Sequence, residues 1–377
     1  MTGIFENLAI TAGHKVKITT HAPGGVFVGD TRPGPLSHAY DPNVYGLIRS
    51  DKWDYVVIQD NQGFYSYGIG VFPPYSKVIE GHTQLRDSAV ANNPCSKVLL
   101  FAGWCFKNGW PPDFNNGSDM NQRVYENYVF INNTLDEIVS PIGIAWNRII
   151  KLLPTTDLWD TDEAHPSYAG SYLTAATIYS SIFRSSAEEV MYDGNLAAAT
   201  ARTMRKTAYE TVIDSIAPSM LSKYTITLSI NGNQLSADPG YKTYNWYEDN
   251  VLLGQTTTAS YSPISGGHHY QVVATDAGDC TQRSATSYSH PLSVNNTSLQ
   301  SDYISIQPNP ATELVTISSS EMFAEVTISD IAGRIIYESA VPSYKCVVDI
   351  SNWQKGVYMV QSKGNKGGTH SLKLLIQ

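Results

Sequence analysis

Charge is scarce in this chain of 377 residues: Asp, Glu, Lys and Arg make up 16% of it, against about 25% in an ordinary soluble domain. The basic sign is the scarcer one, 25 residues against 34 acidic ones, so no cationic face is available for nucleic acid or anionic lipid. Long apolar runs are missing too. The longest, from Val98 to Phe106, is interrupted by Gly103 and falls far short of the roughly 20 residues a membrane-crossing helix needs, so no membrane span is expected. Cysteine is limited to Cys95, Cys105, Cys280 and Cys346, with neither a CxxC nor a zinc-type Cys/His spacing, so no metal site is expected. A Cys95–Cys105 bridge is one open pairing. The opening MTGIFENLAI has neither a basic n-region nor an apolar h-region, so no signal peptide is read there.

Tyr (24), Gly (28) and Pro (19), set beside the low charge, point to a turn-rich, β-rich folded chain rather than a disordered one. At about 150 residues per domain the length predicts two or three domains. Residues 1–222 alternate helical and strand patterns. Ile4, Phe5, Leu8 and Ala9 recur at helical spacing and stop at Gly13; Val16 and Ile18 then alternate as a strand ending in the Pro23-Gly24-Gly25 turn. The β-branched runs at 53–58 and 97–101 read as buried parallel strands. A helical stretch at 120–139 leads to an apolar segment at 142–146, and a last helix starts near 168 and runs to about 184 or beyond. This is the pattern of βαβ units around a parallel sheet, with function at the carboxyl ends of the strands.

Composition shifts after Ser222. Residues 225–290 carry Thr/Ser/Tyr-rich strands with turn signals at Asn231-Gly232, Asp238-Pro239-Gly240 and Gly266-Gly267, the spacing of a small β-sandwich. With Trp246 placed as a core Trp, this segment resembles the PKD/Ig-like modules of secreted bacterial proteins. A polar linker at 293–302 precedes a third block. Its Pro308-Asn309-Pro310-Ala311, Val326-Thr327-Ile328-Ser329-Asp330-Ile331-Ala332-Gly333-Arg334, Val348-Asp349-Ile350 and Gly356-Val357-Tyr358-Met359-Val360 resemble the C-terminal sorting domain of type IX secretion. That resemblance implies a seven-strand-like sandwich with Gly333 in a hairpin turn, a partnership with the type IX machinery through 302–377, and a protein secreted from or attached to the surface of a Gram-negative bacterium. Such a protein first crosses the inner membrane with a signal peptide, so the natural chain is expected to begin upstream of Met1.

The sharpest chemical motif is Asp162-Glu163-Ala164-His165-Pro166-Ser167, followed by Tyr168-Ala169-Gly170-Ser171-Tyr172-Leu173. Asp and His three residues apart, on a loop entering a helix, can set a carboxylate on one imidazole nitrogen and leave the other as a general base. A solvated acidic loop is the plainer reading. With its Pro-Ser-x-x-Gly continuation the motif resembles the last block of SGNH/GDSL ester hydrolases. In that family an earlier Gly offers its backbone N–H to the oxyanion, which implies Gly25, with Gly24 next. A side-chain amide after a later strand completes the hole, which implies Gln59 or Asn61; the usual Gly-x-Asn-Asp is replaced here by Gln59-Asp60-Asn61-Gln62. The family's Gly-Asx-Ser nucleophile turn is absent, and residues 3–12 look like the helix that follows it. The nucleophile is therefore expected a few residues before Met1, leaving the printed chain nearly inert. Ser37 and Ser167 lack the strand-turn-helix setting.

The resemblances together imply an α/β fold, a three-layer flavodoxin-like SGNH domain with a parallel sheet at 1–222, followed by two β-sandwich domains at 223–297 and 302–377. The implied function is a cofactor-free secreted esterase acting on an ester substrate, an acylated polysaccharide being one class. Phe64, Tyr65, Tyr67, Phe72, Tyr75, Trp104, Phe106, Trp110 and Phe114 would face a glycan or simply pack the loops. The competing reading is a non-catalytic surface glycan-binding or adhesion protein on the same scaffold. His21 and His38, near the Gly-Gly turn, would face the site or serve structure.

Overall fold

The computed structural model describes residues 1–29, 37–66, 75–215, 221–289, 304–330, 334–340, 343–364 and 369–377. Tyr67, Phe72, the 293–302 linker and the turn at Gly333 lie outside the described residues, as does the side chain of Phe64. Two compact units divide the chain, Met1–Leu292 and Ser293–Gln377.

The first unit begins with α1 (Thr2–Thr11), which buries Ile4, Leu8 and Ala9 and is followed by Gly13 at φ +88°. Next come α2 (Pro42–Arg49), β1 (Tyr55–Ile58), α3 (Gln62–Ser66), α4 (Tyr75–Asn92), β2 (Lys97–Phe101), α5 (Gly117–Leu135), β3 (Ile138–Ser140), α6 (Ile142–Leu152), α7 (Tyr168–Phe183) and α8 (Ala198–Asp214). The three strands form a parallel sheet in the order β1-β2-β3, with Tyr55 opposite Lys97 and Leu99 opposite Ile138. The apolar segment at 142–146 is the start of α6, and the strand before it is only three residues long. Alternation along the strands feeds two cores. Leu99, Phe101 and Ile138 pack with α1, α6, α7 and α8; Ile58, Val98, Leu100 and Val139 pack with α2, α4 and α5. Helices therefore cover both faces of the sheet.

The segment after Gly13 differs from expectation. At 14–19 burial alternates between half-buried and exposed residues, as in a strand, yet no strand is assigned there. Among the described residues, 15–22 make no backbone–backbone hydrogen bond. A strand exists only through pairing, and no described strand lies alongside to supply it.

The rest of the first unit is antiparallel. β4 (Leu228–Asn231), β5 (Gln234–Ala237) and β8 (Ser260–Tyr261) form one sheet; β6 (Thr243–Glu248), β7 (Val251–Thr256), β9 (His268–Thr275), β10 (Thr281–Arg283) and β11 (Ser287–Ser289) form the other. Both contribute to one core around the fully buried Trp246, with Leu235, Tyr244, Tyr270 and Val272. This sandwich is fastened to the helical layers across residue 222. Gln271 Nε2 donates to Phe183 O (2.7 Å), the Thr286 amide to Arg184 O (3.0 Å), and Tyr209 Oη to Thr286 O (3.1 Å). A disulfide also crosses, joining Cys95 to Cys280. It replaces the Cys95–Cys105 pairing held open from sequence: Cys105 is a buried free thiol, with burial pushing its pKa up to about 12.

The second unit has six strands among its described residues, where seven were expected: β12 (Ile304–Gln307), β13 (Leu314–Asp330), β14 (Ile335–Ser339), β15 (Ser343–Asp349), β16 (Gly356–Gly364) and β17 (Thr369–Ile376). The long β13 pairs with β12 and β15 through its first half and with β14 and β16 through its second, and its register against β15 shifts between Ser318 and Phe323. Val315, Ile317, Val326 and Ile328 turn inward with Val348, Ile350, Val360 and Leu374.

Candidate active site

Three loops meet beyond the carboxyl end of β1. The first, 157–167, is a tight excursion before α7. The Asp160 amide donates to His165 O (2.8 Å), the Ser167 amide donates to Leu158 O (2.9 Å), and Glu163 takes φ +57°. Trp104 Nε1 donates to Ala164 O (2.9 Å) and Trp159 Nε1 to Cys105 O (2.7 Å), anchoring the loop to the chain after β2. Gly170 is required for the docking of α7 against it: a Cβ there would stand 2.1 Å from Leu158 O and 2.7 Å from the Trp146 ring.

The loop holds the imidazole of His165 outward, with its side chain 80% exposed. Nδ1 lies 2.5 Å from Asp162 Oδ2, while Asp162 Oδ1 accepts the amides of His165 (2.8 Å) and Ala164 (3.0 Å). These bonds, the one to the imidazole foremost, hold the Asp162 pKa down at about 2, so the carboxylate is ionised throughout the neutral range. Nε2 has no hydrogen-bond partner among the described residues.

The other two loops are tied together by a residue that the sequence reading passed over. Asp60, two residues past the end of β1, is buried and accepts Val28 N (3.0 Å), Asn61 N (2.8 Å) and Tyr65 Oη (2.9 Å). One carboxylate thus fixes the 23–28 turn against the 59–61 loop. Gln62 does the same between β1 and β2: its Nε2 donates to Asp60 O and Phe101 O, and its Oε1 accepts Gly103 N (2.8 Å). A polar residue at a strand end was the available signal for Asp60, but its partners lie up to 32 residues away. Gly25 takes φ +71°, with open space where a Cβ would stand.

A single cavity of about 1220 Å³ is lined by Gly24, Gly25, Gln59, Asn61 and His165, with Asp162 behind the imidazole. Of the loop aromatics, Trp104 and Phe106 line it; Tyr65 is buried, Phe114 packs against the second core, and Tyr75 Oη pairs with Thr134. His21 and His38 also line it. His21 Nε2 sits 2.9 Å from Oδ2 of the buried Asp41, which also caps α2 through Asn43 N. Burial and the neighbouring His21 lower the His38 pKa. Neither alternative serine is available: Ser37 is fully buried and donates to Val28 O (2.7 Å), and Ser167 caps α7.

Comparison with known proteins adds the address. Residues 305–377 match the family model described as a secretion system C-terminal sorting domain. The chain thus carries the tail read by the type IX secretion machinery and is secreted or attached to the outer surface; no described helix is long and apolar enough to cross a membrane. No curated protein matches the chain. Among solved structures, a DUF4886 family protein from Bacteroides uniformis is 13% identical, over 48% of this chain and 70% of that one, with a TM-score of 0.38. A GDSL-like lipase from Parabacteroides merdae is 18% identical, over 38% and 68%, at a TM-score of 0.27. SGBP-B from a Bacteroides ovatus mixed-linkage glucan utilization locus, in complex with a heptasaccharide, is 18% identical, over 42% and 40%, at a TM-score of 0.21.

Proposed function

We propose that this protein is an exported ester hydrolase of the SGNH type on a flavodoxin-like α/β layer, acting on a carbohydrate ester. One observation carries the reading. Three chain segments, at Gly25, at Gln59 and Asn61, and at His165, line one cavity, and the imidazole among them has a carboxylate on one nitrogen and no partner on the other. Trp104 and Phe106, which line the same cavity, supply flat apolar surfaces of the kind on which sugar rings stack.

In this mechanism His165 takes the proton of a serine hydroxyl, supplied from residues ahead of Met1, as its oxygen attacks the ester carbonyl. Asp162 fixes the ring and stabilises the imidazolium. The Gly25 N–H and the Gln59 amide, with Asn61 as the alternate donor, meet the oxyanion. The imidazolium then protonates the departing alcohol, and water, deprotonated by the same ring, releases the acid.

The test is to extend the gene upstream and follow aryl acetate hydrolysis. Turnover that vanishes with His165→Ala is expected. Turnover indifferent to that change removes the assignment, and an extended protein that binds polysaccharide without turnover makes the scaffold a binding protein.

A further inference from the structure

The chain between β2 and α5 carries two exposed aromatic rings beside the candidate site. Phe106 lines the cavity with His165, and Trp110 stands against it edge to face, the ring centroids 5.3 Å apart. They are 37% and 44% exposed. Trp104, two residues before Phe106, serves the fold instead: it stacks on the buried Trp146 at 4.9 Å and gives Nε1 to Ala164 O. The loop that holds the exposed pair is closed on itself. Gly109 takes φ +73°, a Cβ there would stand 2.5 Å from Phe114 O, and the Phe114 amide donates to Trp110 O (3.0 Å). It is also fastened to the dyad. The Lys107 amide donates to Glu163 O (2.9 Å), Asn108 Nδ2 to Glu163 Oε2 (2.6 Å), and Lys107 Nζ pairs with Asp157 (2.6 Å). Rings that are exposed and already fixed lose little freedom when a ligand settles on them.

We propose that Phe106 and Trp110 form a sugar-binding subsite adjoining the His165–Asp162 dyad, and that it takes a polymeric glycan without uronic acids. The subsite rests on the hydrolase reading for the bond that is cut, not for what is bound. A pyranose offers an apolar C–H face with hydroxyls around its rim, which suits an aromatic face beside polar side chains; the exposed Asn115 and Asn116 are on the same loop. Charge selects among glycans. The segments 104–119 and 157–167 expose carboxylates at Asp113, Asp119, Asp157, Asp160, Asp162 and Glu163, against one lysine, Lys107, which Asp157 already engages. A uronate approaching this field is repelled, and a neutral ring is not. Position selects for length. Phe106 belongs to the cavity lining and Trp110 lies outside it. A glycan chain with its acylated residue at the dyad therefore places a neighbouring residue over Trp110, whereas a monosaccharide ester engages Phe106 alone.

Binding is read without turnover, on the 377-residue protein itself. The probes are three partly acetylated polymers in affinity electrophoresis: a glucomannan and a xylan stripped of uronic acid, both neutral, and an anionic polygalacturonate. Binding of a neutral polymer is expected. Trp110→Ala should weaken it about tenfold, near the upper end of what one aromatic stack contributes, and Trp110→Tyr should keep most of it. Polygalacturonate should bind at least about tenfold more weakly at low salt, with the gap closing as salt is raised. Asp113→Lys should narrow the same gap by strengthening polygalacturonate binding. In the upstream-extended protein, Trp110→Ala should raise KM for the acetylated neutral polymer with little change in kcat. No binding of either neutral polymer, no loss in Trp110→Ala, or equal loss in Trp110→Ala and Trp110→Tyr overturns the subsite. Polygalacturonate bound as tightly as the neutral polymers overturns the charge selection. Neutral polymer held through Trp110 in an extended protein whose turnover ignores His165→Ala upholds the subsite and removes the hydrolase; the converse result removes the subsite alone.

Discussion

Two histidine–carboxylate pairs border one cavity and are built in opposite ways. His165 and Asp162 are three residues apart, held by their own loop and largely exposed. His21 and Asp41 are twenty residues apart, with the carboxylate buried and bound at once to an imidazole and a helix amide. The first pair carries no fold: its bonds are local, and the exposed imidazole remains available for proton transfer. The second is structural cement, joining the run ahead of the Gly-Gly turn to the start of α2. The proposed chemistry sits on the pair held by its own loop, and the pair that joins distant segments is left to the fold.

The largest effect that separates them is catalytic. In the upstream-extended protein, His165→Ala should lower kcat/KM for an aryl acetate by about three orders of magnitude or more, while His21→Ala costs less than about tenfold. Equal losses would break the contrast. Stability should follow the reverse order. Asp41→Ala removes both a helix cap and a buried acceptor and should cost about 1–3 kcal/mol in urea unfolding, whereas Asp162→Ala should leave the midpoint where it was.

A third imidazole sharpens the comparison. His14 stacks on Phe183 at 3.8 Å and lies 3.2 Å from Tyr179 Oη, and burial lowers its pKa to about 4. A folded-state value below the unfolded one means that the stability it contributes is present above pH 6.5 and is lost as pH falls toward 4. The loss should be on the order of 1 kcal/mol, given its partial exposure. Thermal unfolding at pH 7 and pH 4.5 checks it: His14→Phe should flatten that part of the acid slope.

The parts of the protein legible in sequence are those built from near neighbours. The helix stopped at Gly13, the runs at β1 and β2, the start of α7 and the Asp162–His165 pair all follow from spacing over a few residues. The misses are of another kind. Cys280 could not be matched to Cys95 across 185 residues, because bridging needs Cα atoms within about 7 Å and no local pattern encodes that. Nor could Asp60 be seen to join two loops, or Asp41 to hold His21. The strand expected at Val16 and Ile18 keeps its alternation of burial without any partner: a strand's pattern is local and its pairing is not.

By itself the sequence determined which histidine has a carboxylate within reach on its own loop, which turns need glycine, and which tail directs export, because each depends on covalent neighbours. Only the tertiary structure decided that Gly25, Gln59, Asn61 and His165 share a cavity, that the sandwich is locked to the helical layers, and that one edge of β1 takes none of the described strands. Those facts depend on which distant surfaces exclude water together, and the order of residues along a chain does not state that.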